Sequence, residues 1–308
     1  MKISARKNTI PIIFSGSVIL GFTVFLIRNI EEYENIFSFS LPNLLLLIGS
    51  ICLFILLNGS INYLLYEGLG IRLKLKTSVG LAVVNTMANL LPFAGGLVAK
   101  GLYLNKKHNL EYTRYASSIG ALFICFVTTN GIMGLIGLLL MYLIQSKEIP
   151  LIIIGGFVLM AGSISLLWIP LKFGFLPEKW QTQLDSFNDG WQIFRNNRKL
   201  LLKLIVIQIA SVLTTALRFW IGFKFLSLQI SYLDGLLFAS ATILTRLVSI
   251  APGGLGIREG IIAVLGTFLG YDPTVSAIAV GIDRIVSTTI ILILGMYFIY
   301  DLSADILE

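Results

Sequence analysis

Residues 246–260 read RLVSIAPGGLGIREG. Pro252, Gly253, Gly254 and Gly256 interrupt a run that is otherwise apolar, and Arg246, Arg258 and Glu259 place charge beside the interruption. Proline removes a backbone donor and clashes with the preceding turn, and glycine loosens the chain, so a helix breaks here. The composition of the rest of the chain says what surrounds that break.

The chain has 308 residues, 56% hydrophobic and 13% charged. A soluble domain carries about 25% charged residues to wet its surface. The shortfall points to a polytopic membrane protein, built from apolar runs of about 20 residues that each cross a hydrocarbon core of ~30 Å. The net charge of +7 then reads as lysine and arginine gathered in cytoplasmic loops, not as a nucleic-acid footprint. Cys52 and Cys125 lie far apart in apolar runs, and His108 is the sole histidine, beside Lys106 and Lys107. Neither metal-ligand spacing nor a Ser-His-Asp arrangement emerges, so no metal, cofactor or catalytic residue is expected. The N-terminal apolar run has a basic flank but no small-residue cleavage site, and reads as a retained span rather than a signal peptide.

Spans are expected at about 10–27, 41–66, 116–144, 150–169, 200–228 and 274–300. Segment 77–104 is apolar but broken around Pro92, Gly95 and Gly96; segment 232–270 is broken around Pro252. Lys2, Arg6 and Lys7 put the N-terminus in the cytoplasm, and the basic stretches 72–76 and 105–114 both read as cytoplasmic. Segment 77–104 must then leave and return on one side. Its halves are too short to cross comfortably, which favours a re-entrant hairpin; two short tilted spans with an outside turn are the alternative. Carried onward, the same bookkeeping makes 232–270 a second hairpin entered from the other side and returns the C-terminus to the cytoplasm. Segment 171–199 is polar, with Trp180, Leu184, Phe187, Trp191 and Phe194 at helical spacing. It reads as a cytoplasmic amphipathic helix in the headgroup layer, or as one packed on the protein itself. The expectation is a single all-α integral membrane domain over residues 1–308: a helical bundle of about six full spans plus two inverted re-entrant hairpins in the cytoplasmic membrane.

The two breaks resemble each other. Aligned on Gly-Gly-Leu, at 95–97 and 253–255, each has a cation four residues after the second glycine, Lys100 and Arg258. An odd number of crossings between them is the pattern of an inverted repeat with broken helices meeting near the midplane; chance recurrence in an apolar chain is the alternative. Irregular backbone at membrane depth has to be buried or line a wet cavity. A helix beginning after Gly95-Gly96, or after Gly253, Gly254 and Gly256, offers free N–H groups and a positive dipole end. Lys100, Arg246 and Arg258 add full charges there, an arrangement completed by an anion such as a lipid phosphate. Glu259 and the Asp283-Arg284 pair lie at membrane depth, where charges need partners or a cavity, and are read as ion-pairing or coupling groups. Arg218 and Lys224, nearer a span end, read as snorkelling anchors. Asn85 and Asn89 either line the first hairpin or bond between helices.

At these residues the chain resembles the lysylphosphatidylglycerol synthase transmembrane-region family. The likeness is carried by Pro-Gly-Gly-Leu-Gly-Ile-Arg-Glu-Gly at 252–260 after Arg246, and by Asn-Leu-Leu-Pro-Phe-Ala-Gly-Gly at 89–96 with Lys100, Tyr103 and Leu104. The first motif departs from the family's more usual Gly-Glu and arginine. The resemblance implies a flippase-like protein that moves a phosphate-bearing lipid: aminoacyl-phosphatidylglycerol, another phospholipid or a polyprenyl phosphate. It equally implies, as the alternative, a membrane subunit or partner of a soluble synthase or glycosyltransferase. The lysyl ester is made by a soluble domain in the family's full-length factors, and these 308 residues are not expected to include one, which favours transport over catalysis.

Overall fold

The computed structural model describes residues 40–90, 95–147, 150–168, 191, 192, 194, 196–246 and 256–307. The expected first span and acidic loop, most of segment 171–199, Pro92, Pro252, Gly253 and Gly254 lie outside the described residues. Every regular element among the described residues is helical.

The elements are α1 (Leu41–Gly68), α2 (Leu75–Ala88), α3 (Gly95–His108), α4 (Tyr112–Gln145), α5 (Leu151–Gly162), α6 (Arg198–Lys224), α7 (Tyr232–Ala241), α8 (Ile257–Phe268) and α9 (Pro273–Leu307). Their starts follow local chemistry. Asn197 accepts from the Leu200 N–H at 3.0 Å to cap α6. Ser231 and Asp234 form a reciprocal capping box on α7. Asp272 accepts from Thr274 and Val275 ahead of Pro273, which opens α9.

Helices α1, α4, α6 and α9 are long and apolar enough to cross a membrane. They carry large apolar side chains outward, such as Leu53, Leu139, Val206 and Ile293, as expected for a lipid-facing surface. The expected span at 150–169 is different in kind. Its α-helical part has 12 residues and continues as a 3₁₀ turn of 6 residues, Ser163–Trp168. The tighter turn rises more per residue, so together they reach roughly 30 Å.

Helices α2 and α3 have 14 residues each, about 21 Å apiece and short of a bilayer core. Their outer ends meet on one stretch of α9: Lys76 Nζ lies 2.6 Å from Asp301, and both Tyr103 and Lys107 bond Asp305. The pair therefore leaves and returns at one end of the bundle. Helices α7 and α8 do likewise, since the Tyr271 hydroxyl donates to Asp234 at 2.8 Å. Lys147, at the end of α4, reaches the same Asp234 at 3.2 Å.

These contacts order the bundle. Helix α4 begins just after α3 and ends at Asp234; α9 begins beside Tyr271 and ends at Asp301 and Asp305. Each long helix runs from the mouth of one hairpin to the mouth of the other, so the mouths sit at opposite ends. Packing repeats the exchange: α2 lies on α9, α7 lies on α4, and α1 and α6 pack together between them.

Trp191 and Phe194 are buried in the protein's own core beside Leu200 and Leu204. At those two positions the apolar face of the polar segment is covered by protein rather than by headgroups.

Candidate functional site

Helices α6 and α9 run antiparallel and touch where a side chain is missing. A Cβ on Gly222 would lie 2.6 Å from the Ala279 carbonyl oxygen. One turn further along both helices, Arg218 meets Asp283. The Arg218 Nε donates to Asp283 Oδ1 at 2.7 Å, and Nη2 to Oδ2 at 3.0 Å. Asp283 is 0% exposed and Arg218 5%. The sequence expectation of a snorkelling Arg218 is thereby corrected: the glycine contact draws the helices close enough to bury it against a carboxylate. Lys224, in the last turn of α6, lies over the Trp220 ring at 3.5 Å.

Helix α8 brings a second arginine to the same carboxylate. Arg258 Nη2 donates to Asp283 Oδ2 at 2.8 Å, while its Nε, also buried, has no partner among the described residues. Aromatic faces cover both cations: Arg258 lies 4.9 Å from the Phe219 ring centroid and Arg218 5.1 Å from that of Phe54. Next along the same two helices, Arg284 pairs with Glu259. Five charges thus meet at one level, three arginines against two carboxylates. Burying charges without partners costs several kcal/mol each, so the pairing is expected.

The glycines have more specific roles than helix breaking. Gly256 has a φ of +79°, the left-handed region that disfavours side chains, just before α8. Its N–H donates to Glu259 Oε2 at 2.9 Å. A Cβ on Gly96 would lie 2.0 Å from the Asn85 carbonyl oxygen, so α3 starts in direct contact with α2. The Gly96 N–H donates to Asn89 Oδ1 at 3.1 Å. Both hairpins therefore occupy an N–H that the sequence left open for an anion, using a side chain of their own. Asn89 acts as a cap, whereas Asn85 lines a cavity and its Oδ1 has no partner among the described residues.

Lys100 does not join the arginines. It is buried, 3.3 Å from Asn62 Oδ1 and 5.9 Å from the Tyr66 ring centroid. It borders a cavity of about 140 Å³ with Asn85, Tyr103, Ile299 and Ser303. The contact points on α9, Asp283 for Arg258 and Ile299 for the Lys100 cavity, are separated by roughly 24 Å of helix. In this conformation the two cations face different places, and a single shared phosphate is not held between them. Arg246 ends the 3₁₀ turn that continues α7, and its side chain lies outside the described residues. Gly95 opens α3.

Sequence reasoning missed Arg218 as a member of this cluster and Phe54 and Phe219 as its cover. The available signal was Gly222, one turn after Arg218 in a span, which marks a close helix approach.

One family model, described as Lysylphosphatidylglycerol synthase TM region, matches residues 12–295. No curated protein and no solved structure matches the chain.

Proposed function

The chain belongs to the family of lysylphosphatidylglycerol synthase transmembrane regions, and from that premise we propose that it is a flippase-like transporter of a phosphate-bearing lipid in the cytoplasmic membrane. One observation carries the reading: Asp283 serves two arginines at once. Arg218 grips it with two bonds, Arg258 with one. A phosphate can take Arg258 away without leaving the carboxylate uncompensated, because the bidentate Arg218 remains. The unpartnered Nε of Arg258 favours the anion as well. The aromatic cover keeps water out and strengthens each contact.

The two hairpins act in this proposal as inverted re-entrant elements, entered from opposite faces. Support comes from their mouths lying at opposite ends of α4 and α9. Lys100 provides a second station near the other face, so the headgroup passes between two sites in sequence instead of resting between both cations. With the basic loops inside, both termini lie in the cytoplasm. Aminoacyl-phosphatidylglycerol, other phospholipids and polyprenyl phosphates all present the required phosphate.

Leaflet-resolved assays in proteoliposomes test this. Headgroup movement of at least one such lipid is expected, with a loss of tenfold or more in Arg258→Gln. Absence of movement for every phospholipid and polyprenyl phosphate tried sinks the proposal.

A further inference from the structure

A second polar cavity lies between α1, α4, α6 and the end of α7, with a volume of about 50 Å³. Among the described residues its wall is polar and carries no charged side chain. The Nδ2 of Asn58 donates to the Phe54 carbonyl and that of Asn130 to the Phe126 carbonyl, both at 2.8 Å. A carbonyl only accepts, so each bond fixes which end of the amide is nitrogen and leaves the amide oxygen uncommitted. The hydroxyls behave the same way. Ser211 donates to the Ile207 carbonyl, Thr215 to that of Ser211 and Thr242 to that of Ala239. Their protons point into the helices and their lone pairs remain.

Gln208 completes the wall. It is 8% exposed and lines the cavity, yet its carboxamide has no hydrogen-bond partner among the described residues. Its amide opens onto the cavity, so whatever occupies the cavity is what it can bond. The cavity also sits at the point where α7 stops being an α-helix, with Thr242 as its first residue beyond.

We infer that this cavity binds a single monovalent alkali-metal cation. Three hydroxyl oxygens with their protons turned away and the amide oxygens of Asn58, Asn130 and Gln208 supply a neutral ligand set for a hard cation. No carboxylate lines it among the described residues, which argues against a divalent ion, since that needs more negative charge. The volume admits a partly dehydrated ion and is too small for a lipid headgroup. The nearest charge along α6, Arg218, lies over the Phe54 ring, which is part of the wall, and is neutralised by Asp283. The inference does not depend on the lipid reading, since it concerns the protein without transported lipid.

The test is thermal unfolding of the purified full chain in detergent, followed by tryptophan fluorescence. Sodium chloride, potassium chloride and choline chloride are compared at equal ionic strength. A saturable rise in Tm of roughly 3 °C or more is expected in sodium or potassium over choline. Gln208→Leu and Thr242→Val should each abolish the rise while the protein stays monodisperse. Where Gln208→Leu does not fold, Thr242→Val decides alone. Equal Tm in all three salts overturns the inference and leaves a cavity that holds water only. A rise that persists in both variants overturns it too, because the ion then binds elsewhere.

Discussion

Arg218 and Asp283 are 65 residues apart in the chain and joined by two hydrogen bonds in the interior. The pair exists because α6 and α9 approach at Gly222, one turn away, where a side chain would meet the Ala279 backbone. Removing the carboxylate strands two buried guanidiniums. Asp283→Asn is therefore expected to lower stability by roughly 3–5 kcal/mol. The triple variant Arg218→Met, Arg258→Met, Asp283→Leu should recover most of that loss, because no charge is left unpaired. Thermal unfolding of the single and triple variants checks both statements; a triple variant no more stable than the single one refutes the pairing.

The glycine contact makes its own prediction. Gly222→Leu should destabilise the bundle by about 1–3 kcal/mol or more through forced separation of two backbones. Gly260→Ala, where a Cβ meets nothing within 4 Å, should be neutral or slightly stabilising, as glycine costs a helix roughly 0.5–1 kcal/mol relative to alanine. Equal effects at the two positions would mean that helix propensity, not close approach, governs both.

Opposite placement of the hairpin mouths is checked by labelling. With Cys52 and Cys125 replaced by alanine, single cysteines at the exposed positions Lys106 and Pro273 should react with a membrane-impermeant maleimide from opposite sides of sealed vesicles. Reaction from the same side would falsify the inverted arrangement.

His108 gives a pH prediction outside the spanning helices. Partial burial lowers its pKa below the ordinary 6.5, Lys107 adds to this and Asp305 opposes it. A lowered pKa means the fold prefers neutral imidazole, so the unfolded chain binds more protons in the window below about pH 6.5. Its stabilising contribution is present above that pH and is lost as pH falls through the folded value. The chain has one histidine, so a single imidazole titration by NMR reads the shift; a midpoint at or above 6.5 contradicts it.

Much was legible in the chain itself. A charged fraction of 13% is too low to wet a soluble surface, which settles the membrane class. The Pro-Gly stretches 91–96 and 251–256 announce breaks, and α3 and α8 duly begin at Gly95 and just after Gly256. Charges at 258, 259, 283 and 284 announce themselves, since an ion at membrane depth needs a partner. Only tertiary structure chose the partners. Arg258 and Asp283 face each other because α8 and α9 are antiparallel; Arg218 joins them because α6 packs on α9 at a glycine; Lys100 stays away because α3 docks near the other end of α9. Hydropathy and propensity depend on near neighbours in sequence, whereas an ion pair depends on which helix faces meet. That is also why the unpaired Gln208 amide, one polar residue among many in an apolar span, acquired meaning only once four helices closed around it.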